Sequence, residues 1–427
     1  MGTQLRMHFL VFAVATPKEN SFEFTFDNTV SFRHMHFHSN DSSPTSYSQI
    51  KAMDKLTSVS FRSSHLTSRN LLALENYEGL NKIVTSKTLK LNWYEFRKVS
   101  LLGEGRFSSV FLVLSHKRKM ALKCLDPKKI YSSQEFLTAS IDLFMEAKIL
   151  SSLDHENIIK LRGVCSTSLS DSFYQEDGKG YFILTDVMQE TLKDRIRRWR
   201  IDPVCFEKRR RYKLFNKKGG LDLRSMYGRI ATTAMGIAKG MKYLHERDII
   251  LRDLKPQNIG FHEATGRVCL FDFGFARPLS ECSSNEICGT PRYMSPEVMQ
   301  AQGYSLKSDV YSFGIVLYEI CSLKDAFNSR APVLHDSDDI LNKSEEFASR
   351  PPLHHIPCDY TRALIEDCWS QDPNVRPSFD DICSALTKIL RIGHMVEKEI
   401  GKESSSSSAS IITYKTEMTE MQSFSVN

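Results

Sequence analysis

The sequence contains no Cys-x-x-Cys pair. Its ten cysteines are scattered, which argues against a paired-thiol zinc site and against a dithiol redox motif. They read as free thiols in a reducing compartment. No apolar run approaches the ~20 residues that a bilayer-spanning helix needs, so no transmembrane segment is expected. Charge of one sign is also modest. The formal net charge of +6 and pI near 8.7 do not imply nucleic acid binding. Between about Pro17 and Lys90, sustained hydrophobic periodicity is missing: Ser, Thr, Asn and His dominate, and neither a 2- nor a 3.6-residue period persists. A disordered or loosely structured leader is predicted there.

Two features of the leader invite stronger readings. Arg6 precedes a short apolar run, Met7 to Ala15, with a small-x-small end that a signal peptidase could accept. The run is brief and contains His8, so a cytoplasmic location is the expectation, with a nuclear one left open and a secretory or organellar leader the lesser reading. Arg6 stands where N-myristoylation would want Ser or Thr. His34, His36 and His38 would share one face of an extended strand, but three histidines in a polar leader are more often solvated than metal-bound.

What is present is ordinary globular material: 41% hydrophobic and 25% charged residues over 427, enough for one two-lobed domain with tails. The chain divides into a leader at 1–94, a folded region at about 95–392 and a Ser-rich flexible tail at 393–427. Val99 to Leu114 reads as two strands around a glycine-bearing turn, and Met120 to Leu125 as a third. Leu137, Ile141, Phe144, Met145 and Ile149 mark an amphipathic helix. Tyr181 to Thr185 is a short apolar strand. Ile230, Ala234, Ile237, Met241 and Leu244 line one face of a long helix, and the chain is helix-rich from Asp309 to about Arg391. Strands first and helices after give an α+β class.

The chemistry concentrates in Leu251-Arg252-Asp253-Leu254-Lys255-Pro256-Gln257-Asn258 and Asp272-Phe273-Gly274. Phosphoryl transfer from a metal-bound nucleotide needs an acceptor for a hydroxyl proton and hard oxygen ligands for the metal. Upstream lies Gly103-Glu104-Gly105-Arg106-Phe107-Ser108. Gly-x-Gly alone is weak, but here it leads into a β-branched strand, not into the helix of a dinucleotide site. Lys123 sits among apolar neighbours and needs an anion to offset its desolvation.

Together these segments resemble the eukaryotic protein kinases, most closely the tyrosine-kinase-like group of Ser/Thr kinases. The resemblance implies a bilobal fold with a small β-rich N-lobe at about 95–185 and a larger helical C-lobe at about 189–392. It implies ATP and Mg²⁺ as cofactors and protein Ser/Thr hydroxyls as acceptors. Asp253 would take the hydroxyl proton and Lys255 would neutralise the transferred phosphoryl group. Thr290 would lie against both, Lys123 would pair with phosphates and Glu146, and Asn258 and Asp272 would bind metal. Leu102, Gly103, Gly105, Ser108, Val110, Ala121 and Lys123 would line the nucleotide site, with Thr185 as gatekeeper and Asp186 and Met188 near adenine. Gly289 to Glu297 resembles the peptide-positioning end of the activation segment, Asp309 would brace the catalytic loop, and Arg376 would pair with Glu297.

Two positions depart from the family pattern. Ser108 stands for the third loop glycine. Leu251 replaces the usual His, filling apolar volume at the loss of a hydrogen bond, about 1 kcal/mol. They are the only support for a pseudokinase scaffold, and an intact peptide-positioning segment weighs against a small-molecule or lipid kinase. Arg252 is the cation expected to receive a phosphate placed on Ser283 or Ser284. Cys282 and Cys288 share that loop without a group that would activate them. A basic insertion at about 197–220, with Arg197-Arg198-Trp199-Arg200 and Lys208 to Lys213, is either a solvated loop or a surface for an anionic partner or an acidic membrane.

Overall fold

The computed structural model describes residues 68–80, 83, 88–115, 117–173, 180–201, 223–283, 286–327 and 350–403. They fall into two compact units: a strand-rich unit of residues up to 148 with 161–185, and a helical unit of 149–160 with 186 onward. His34, His36, His38, Ser284, the basic residues 208–213 and the Ser404–Ser408 run lie outside the described residues.

The strand-rich unit holds a six-stranded sheet. Its strands are β1 (Leu89–Leu91), β2 (Arg97–Glu104), β3 (Ser108–Ser115), β4 (Arg118–Leu125), β5 (Leu161–Cys165) and β6 (Phe182–Thr185), in the spatial order β1-β5-β6-β4-β3-β2. β2 and β3 pair antiparallel around the Gly105–Phe107 turn, with Gly103 opposite Val110. β4 lies between β3 and β6, which sets Lys123 beside Val110 on one side and Ile183 on the other. Val113, Leu122, Phe182, Ile183 and Leu184 are fully buried; because consecutive strand residues point to opposite faces, the sheet is covered on both sides at β6.

Two helices belong to the same unit. The sequence reading assigns residues 17–90 to a loose leader, but α1 (Ser68–Leu80) is a helix and Leu89–Leu91 pair in parallel with β5. Leu71 and Leu74 of α1 are buried while Leu72 is exposed. Leucines stand on both the buried and the exposed face of this helix, so no single stripe marks it in the sequence, and the helix is held by packing. α2 (Ser133–Ser152) buries Phe136, Ser140, Leu143, Phe144 and Ala147, whereas the predicted stripe members Leu137 and Ile141 are only half-buried. The buried face is shifted because residues of α1 and of the 169–173 turn pack against it.

The helical unit is built on α7 (Leu306–Ser322), whose residues from Ser308 to Ser322 are all buried. A helix buried all round is a core helix. Before it in the chain come β7 (Met188–Thr191), α3 (Leu192–Ile201), α4 (Leu223–Arg229), a π-turn at Ile230–Ala234, α5 (Met235–His245), β8 (Ile249–Ile250), β9 (Ile259–His262), β10 (Val268–Leu270), β11 (Arg277–Pro278) and α6 (Pro296–Met299). After α7 come α8 (Asp359–Cys368) and α9 (Phe379–Glu403). α9 runs past residue 392, where the sequence reading starts a flexible tail; no proline interrupts it.

The termini of α7 are satisfied chemically. Ser305 accepts from Lys307 N, and Ser308 Oγ accepts from Ser305 N, as in a capping box. At the far end the buried Arg229 donates to the carbonyls of Ile320 and Cys321, groups that would otherwise lack partners. Ile230, Ala234, Ile237, Met241 and Leu244 are all fully buried. Gly236 and Gly240 let α5 lie directly on β10: a Cβ at Gly236 would stand 2.4 Å from Val268 Cγ1.

The first basic cluster is not a loop. Arg195 to Arg200 lie in α3, with Trp199 buried. Arg195 and Arg198 reach Glu190, while Lys193 and Arg200 reach Asp325. Opposite charges fixed in the fold answer these cations, so this part of the proposed insertion is not a bare basic patch.

Removing the Leu74 side chain should cost about 2–4 kcal/mol of stability in chemical denaturation, as for buried leucines generally. Leu72→Ala, at an exposed position on the same helix, should change it by no more than about 0.5 kcal/mol.

Candidate active site

In the strand-rich unit, Lys123 Nζ donates to Glu146 Oε2 at 2.7 Å, with the Glu146 side chain only 5% exposed. β4 supplies the lysine and α2 the carboxylate. The glycine turn is closed by its own backbone, Gly105 N donating to Ser108 O at 2.7 Å. Lys129 Nζ reaches the carbonyls of Gly105 and Ser108 at 3.3 and 3.5 Å and the Glu104 carboxylate at 3.5 Å. Asp126 accepts from Ser109 Oγ at 3.0 Å. Neither Lys129 nor Asp126 was singled out from sequence, since a Asp-Pro-Lys-Lys turn carries no catalytic signal. Leu102 is partly exposed, Val110 and Ala121 lie on β3 and β4, and Thr185 ends β6 opposite Ala121.

In the helical unit, the segment after β8 gathers four predicted groups. Asp253 Oδ1 accepts from Thr290 Oγ1 at 2.7 Å, and Lys255 Nζ donates to that same hydroxyl oxygen at 2.7 Å. Lys255 Nζ is also 2.7 Å from Asp253 Oδ2, which accepts from Asn258 Nδ2 at 2.9 Å. Burial pushes the Asp253 carboxyl up, Lys255 and Thr290 pull it back, and the net shift is upward from its ordinary 3.8. A buried carboxylate with an ammonium at contact distance is a competent proton acceptor near neutral pH.

Because Asn258 spends its amide N–H on Asp253, its Oδ1 is aimed away, and this buried oxygen has no hydrogen-bond partner. An orphaned buried acceptor is costly unless something binds it. Phe271 N donates to the Asn258 carbonyl at 3.0 Å, so Asp272 follows directly from a residue tied to Asn258. Asp272 has φ +62, a left-handed conformation uncommon for a residue with a side chain. Its negative charge is one cause of the Asp253 shift. An unpaired amide oxygen and a carboxylate are hard donors that suit a divalent cation such as Mg²⁺. At β7, Met188 packs against Gly260, and Asp186 lies 3.5 Å from His262.

The loop is held from beneath by Asp309 of α7. Its carboxylate accepts from Leu251 N and Arg252 N at 2.9 and 3.0 Å, and His245 Nε2 lies 3.0 Å away. His245 was not legible in the sequence. It ends α5 six residues before Leu251, which is itself buried and apolar.

Arg252 does not wait for a phosphate. Its fully buried side chain donates to Phe275 O at 2.6 Å and to Glu286 Oε2 at 2.9 Å, and it lies over the Tyr304 ring at 5.3 Å. Tyr304 in turn exchanges hydrogen bonds with the Cys288 backbone, both at 2.7 Å. Burial pushes the Cys288 thiol up to about 11 and that of Cys282 above its usual value, which disfavours the reactive thiolates. Gly289 has φ +110, and a Cβ there would meet Arg252 O at 2.5 Å. Downstream, Arg376 makes a two-pronged pair with Glu297 at 2.7 and 2.8 Å. Burial opposes charge on Glu297, but Arg376 outweighs it and holds the carboxyl below its ordinary value.

Among the described residues no helix is long and apolar enough to cross a membrane. The protein kinase domain family matches residues 96–386. The chain is 29% identical over 300 residues to the dual specificity protein kinase shkE of Dictyostelium discoideum, covering 69% of this chain and 36% of that protein. It is 31% identical over 301 residues to shkD of the same organism, covering 69% and 35%. Against the ephrin type-B receptor 1 of Gallus gallus it is 27% identical over 328 residues, covering 74% and 29%. The chain thus spans about a third of the length of these relatives. With the catalytic-loop geometry and a family match over most of its folded region, the chain belongs to the protein kinases.

Proposed function

We propose that this kinase transfers the γ-phosphoryl group of ATP to Ser and Thr hydroxyls of protein substrates, in a signalling role inside the cell. The observation that carries the reading is the Thr290 hydroxyl, which donates to Asp253 while accepting from Lys255, both at 2.7 Å. An aliphatic alcohol is thereby held as an acceptor hydroxyl would need to be: its proton on the carboxylate, its oxygen beside a cation. Lys255 and Thr290 also favour Ser/Thr over Tyr acceptors, in line with the tyrosine-kinase-like resemblance. The names of shkE and shkD include dual specificity, so the amino-acid preference is itself a point for assay.

In this reading Asp253 orients the incoming hydroxyl and accepts its proton, and Lys255 offsets charge on the moving phosphoryl group. Lys123, held by Glu146, pairs with nucleotide phosphates. Asn258 Oδ1 and Asp272 would hold Mg²⁺, which supplies charge neutralisation at the phosphate oxygens. Leu102, Gly103, Gly105, Ser108, Val110, Ala121, Thr185, Asp186 and Met188 would surround the nucleotide. Leu251 removes no step from this scheme, because Asp309 and His245 fix the loop through its backbone.

Asp253→Asn should lower kcat by ~10²–10⁴-fold with KM for ATP nearly unchanged. Retention of wild-type kcat would end the assignment. Since only ionised Asp253 accepts a proton, log kcat/KM should fall with decreasing pH through a carboxyl titration above 3.8. That acid limb should vanish from the residual activity of Asp253→Asn.

Glu286 supplies Arg252 with the anion that a phosphoserine was expected to bring. Ser283→Ala should therefore keep near wild-type kcat in unphosphorylated protein. Glu286→Gln should lose about tenfold or more, the worth of one charged hydrogen bond.

A further inference from the structure

Glu146 meets Lys123 only if α2 is held at one rotation about its axis, and the structure shows what holds it. Phe144, two residues earlier on α2, is enclosed by aromatic rings: Tyr181 at 5.9 Å and, edge-on, Tyr77 at 6.2 Å. Tyr77 comes from α1. Its neighbour Glu78 accepts a hydrogen bond from Leu169 N at 2.6 Å. Leu169 opens the turn that ends at Phe173, and Phe173 stacks edge-on against Phe136 near the start of α2, at 4.8 Å. Leu74, Phe136, Phe144, Leu169 and Phe173 are all buried to 1% exposure or less. α1, the 169–173 turn and α2 therefore close on one another, with contacts on α2 two turns apart.

A helix advances ~100° per residue. A rotation of α2 by a single position would carry Glu146 off Lys123 while leaving the helix intact. Deep aromatic packing on the opposite part of α2 prevents such a turn, because close-packed rings shift between discrete arrangements and do not deform smoothly. We propose that α1 is a built-in brace that sets the rotation of α2, with Tyr77 and Glu78 as positioning residues for the Lys123–Glu146 pair. The proposal rests on the reading of that pair as the nucleotide-phosphate grip.

The test uses the full chain with Tyr77→Ala, Tyr77→Phe, Glu78→Ala and Leu72→Ala. It records kcat, KM for ATP, and amide hydrogen exchange across residues 133–148. Tyr77→Ala should stay folded, lose about tenfold or more in kcat, and speed exchange in α2 by about tenfold. Tyr77→Phe should restore both, because it keeps the ring that meets Phe144. Leu72→Ala should match wild type. A folded Tyr77→Ala with wild-type kcat and unchanged α2 exchange overturns the brace. Should that variant not fold, Glu78→Ala, which removes the acceptor for Leu169 N, decides by the same two readouts, unchanged values again overturning it. An inactive wild type whose α2 still loosens in Tyr77→Ala would refute the catalytic reading and leave the brace standing.

Discussion

The buried carboxylate of Asp309 is the constraint on which the catalytic loop depends. A charge at 1% exposure is costly unless its oxygens are occupied. Here two loop N–H groups and a histidine occupy them. Paying that desolvation cost gains a fixed backbone: Arg252 is held at φ +67, a conformation that persists only where the surroundings over-determine it. With Arg252 set, Asp253 is turned toward Lys255, Thr290 and Asn258, and the guanidinium is sent beneath the activation segment. The core helix thus reaches the chemistry through main-chain donors alone. Leu251, buried and apolar, enters this arrangement through its N–H and not its side chain.

Charge organises the rest of the helical unit in the same way. Arg229 closes the carbonyl end of the core helix, Arg376 grips Glu297, and Arg252 grips Glu286. Three buried guanidiniums each meet either a carboxylate or orphan carbonyls. Arginine suits this work, since its planar fork gives several directed donors and it is more weakly hydrated than an ammonium. The two lysines at 123 and 255 are compact point charges, each held at 2.7 Å from a carboxylate.

Much of this was legible in sequence, and the reason is chemical. Asp253, Lys255, Asn258 and Asp272 stand in a short ordered string, and strong patterning marks β2 to β4 and the long helix before the loop. What escaped notice depends on contacts between segments distant in the chain. Glu286 lies 34 residues from Arg252, and Glu78 lies 91 from Leu169. His245 is one helix-end histidine among many possible. α1 carries leucines on its exposed as well as its buried face, Leu72 beside Leu71 and Leu74, so they trace no single stripe. On α2 the stripe holds at Phe144, Met145 and Ile149, which are buried, and drifts at Leu137 and Ile141, which are half-buried, because a helix covered on two sides lacks the single polar face that fixes its phase.

The main-chain bond from Phe271 to Asn258 ties the turn carrying Asp272 to the loop carrying Asn258. The bond joins Asn258 to the residue just before Asp272, so the two chain segments that carry these oxygen donors stay side by side. In the proposed metal site, that adjacency would keep both donors within reach of one small, water-retaining divalent ion, whereas a wider ion would ask the two chain segments to part.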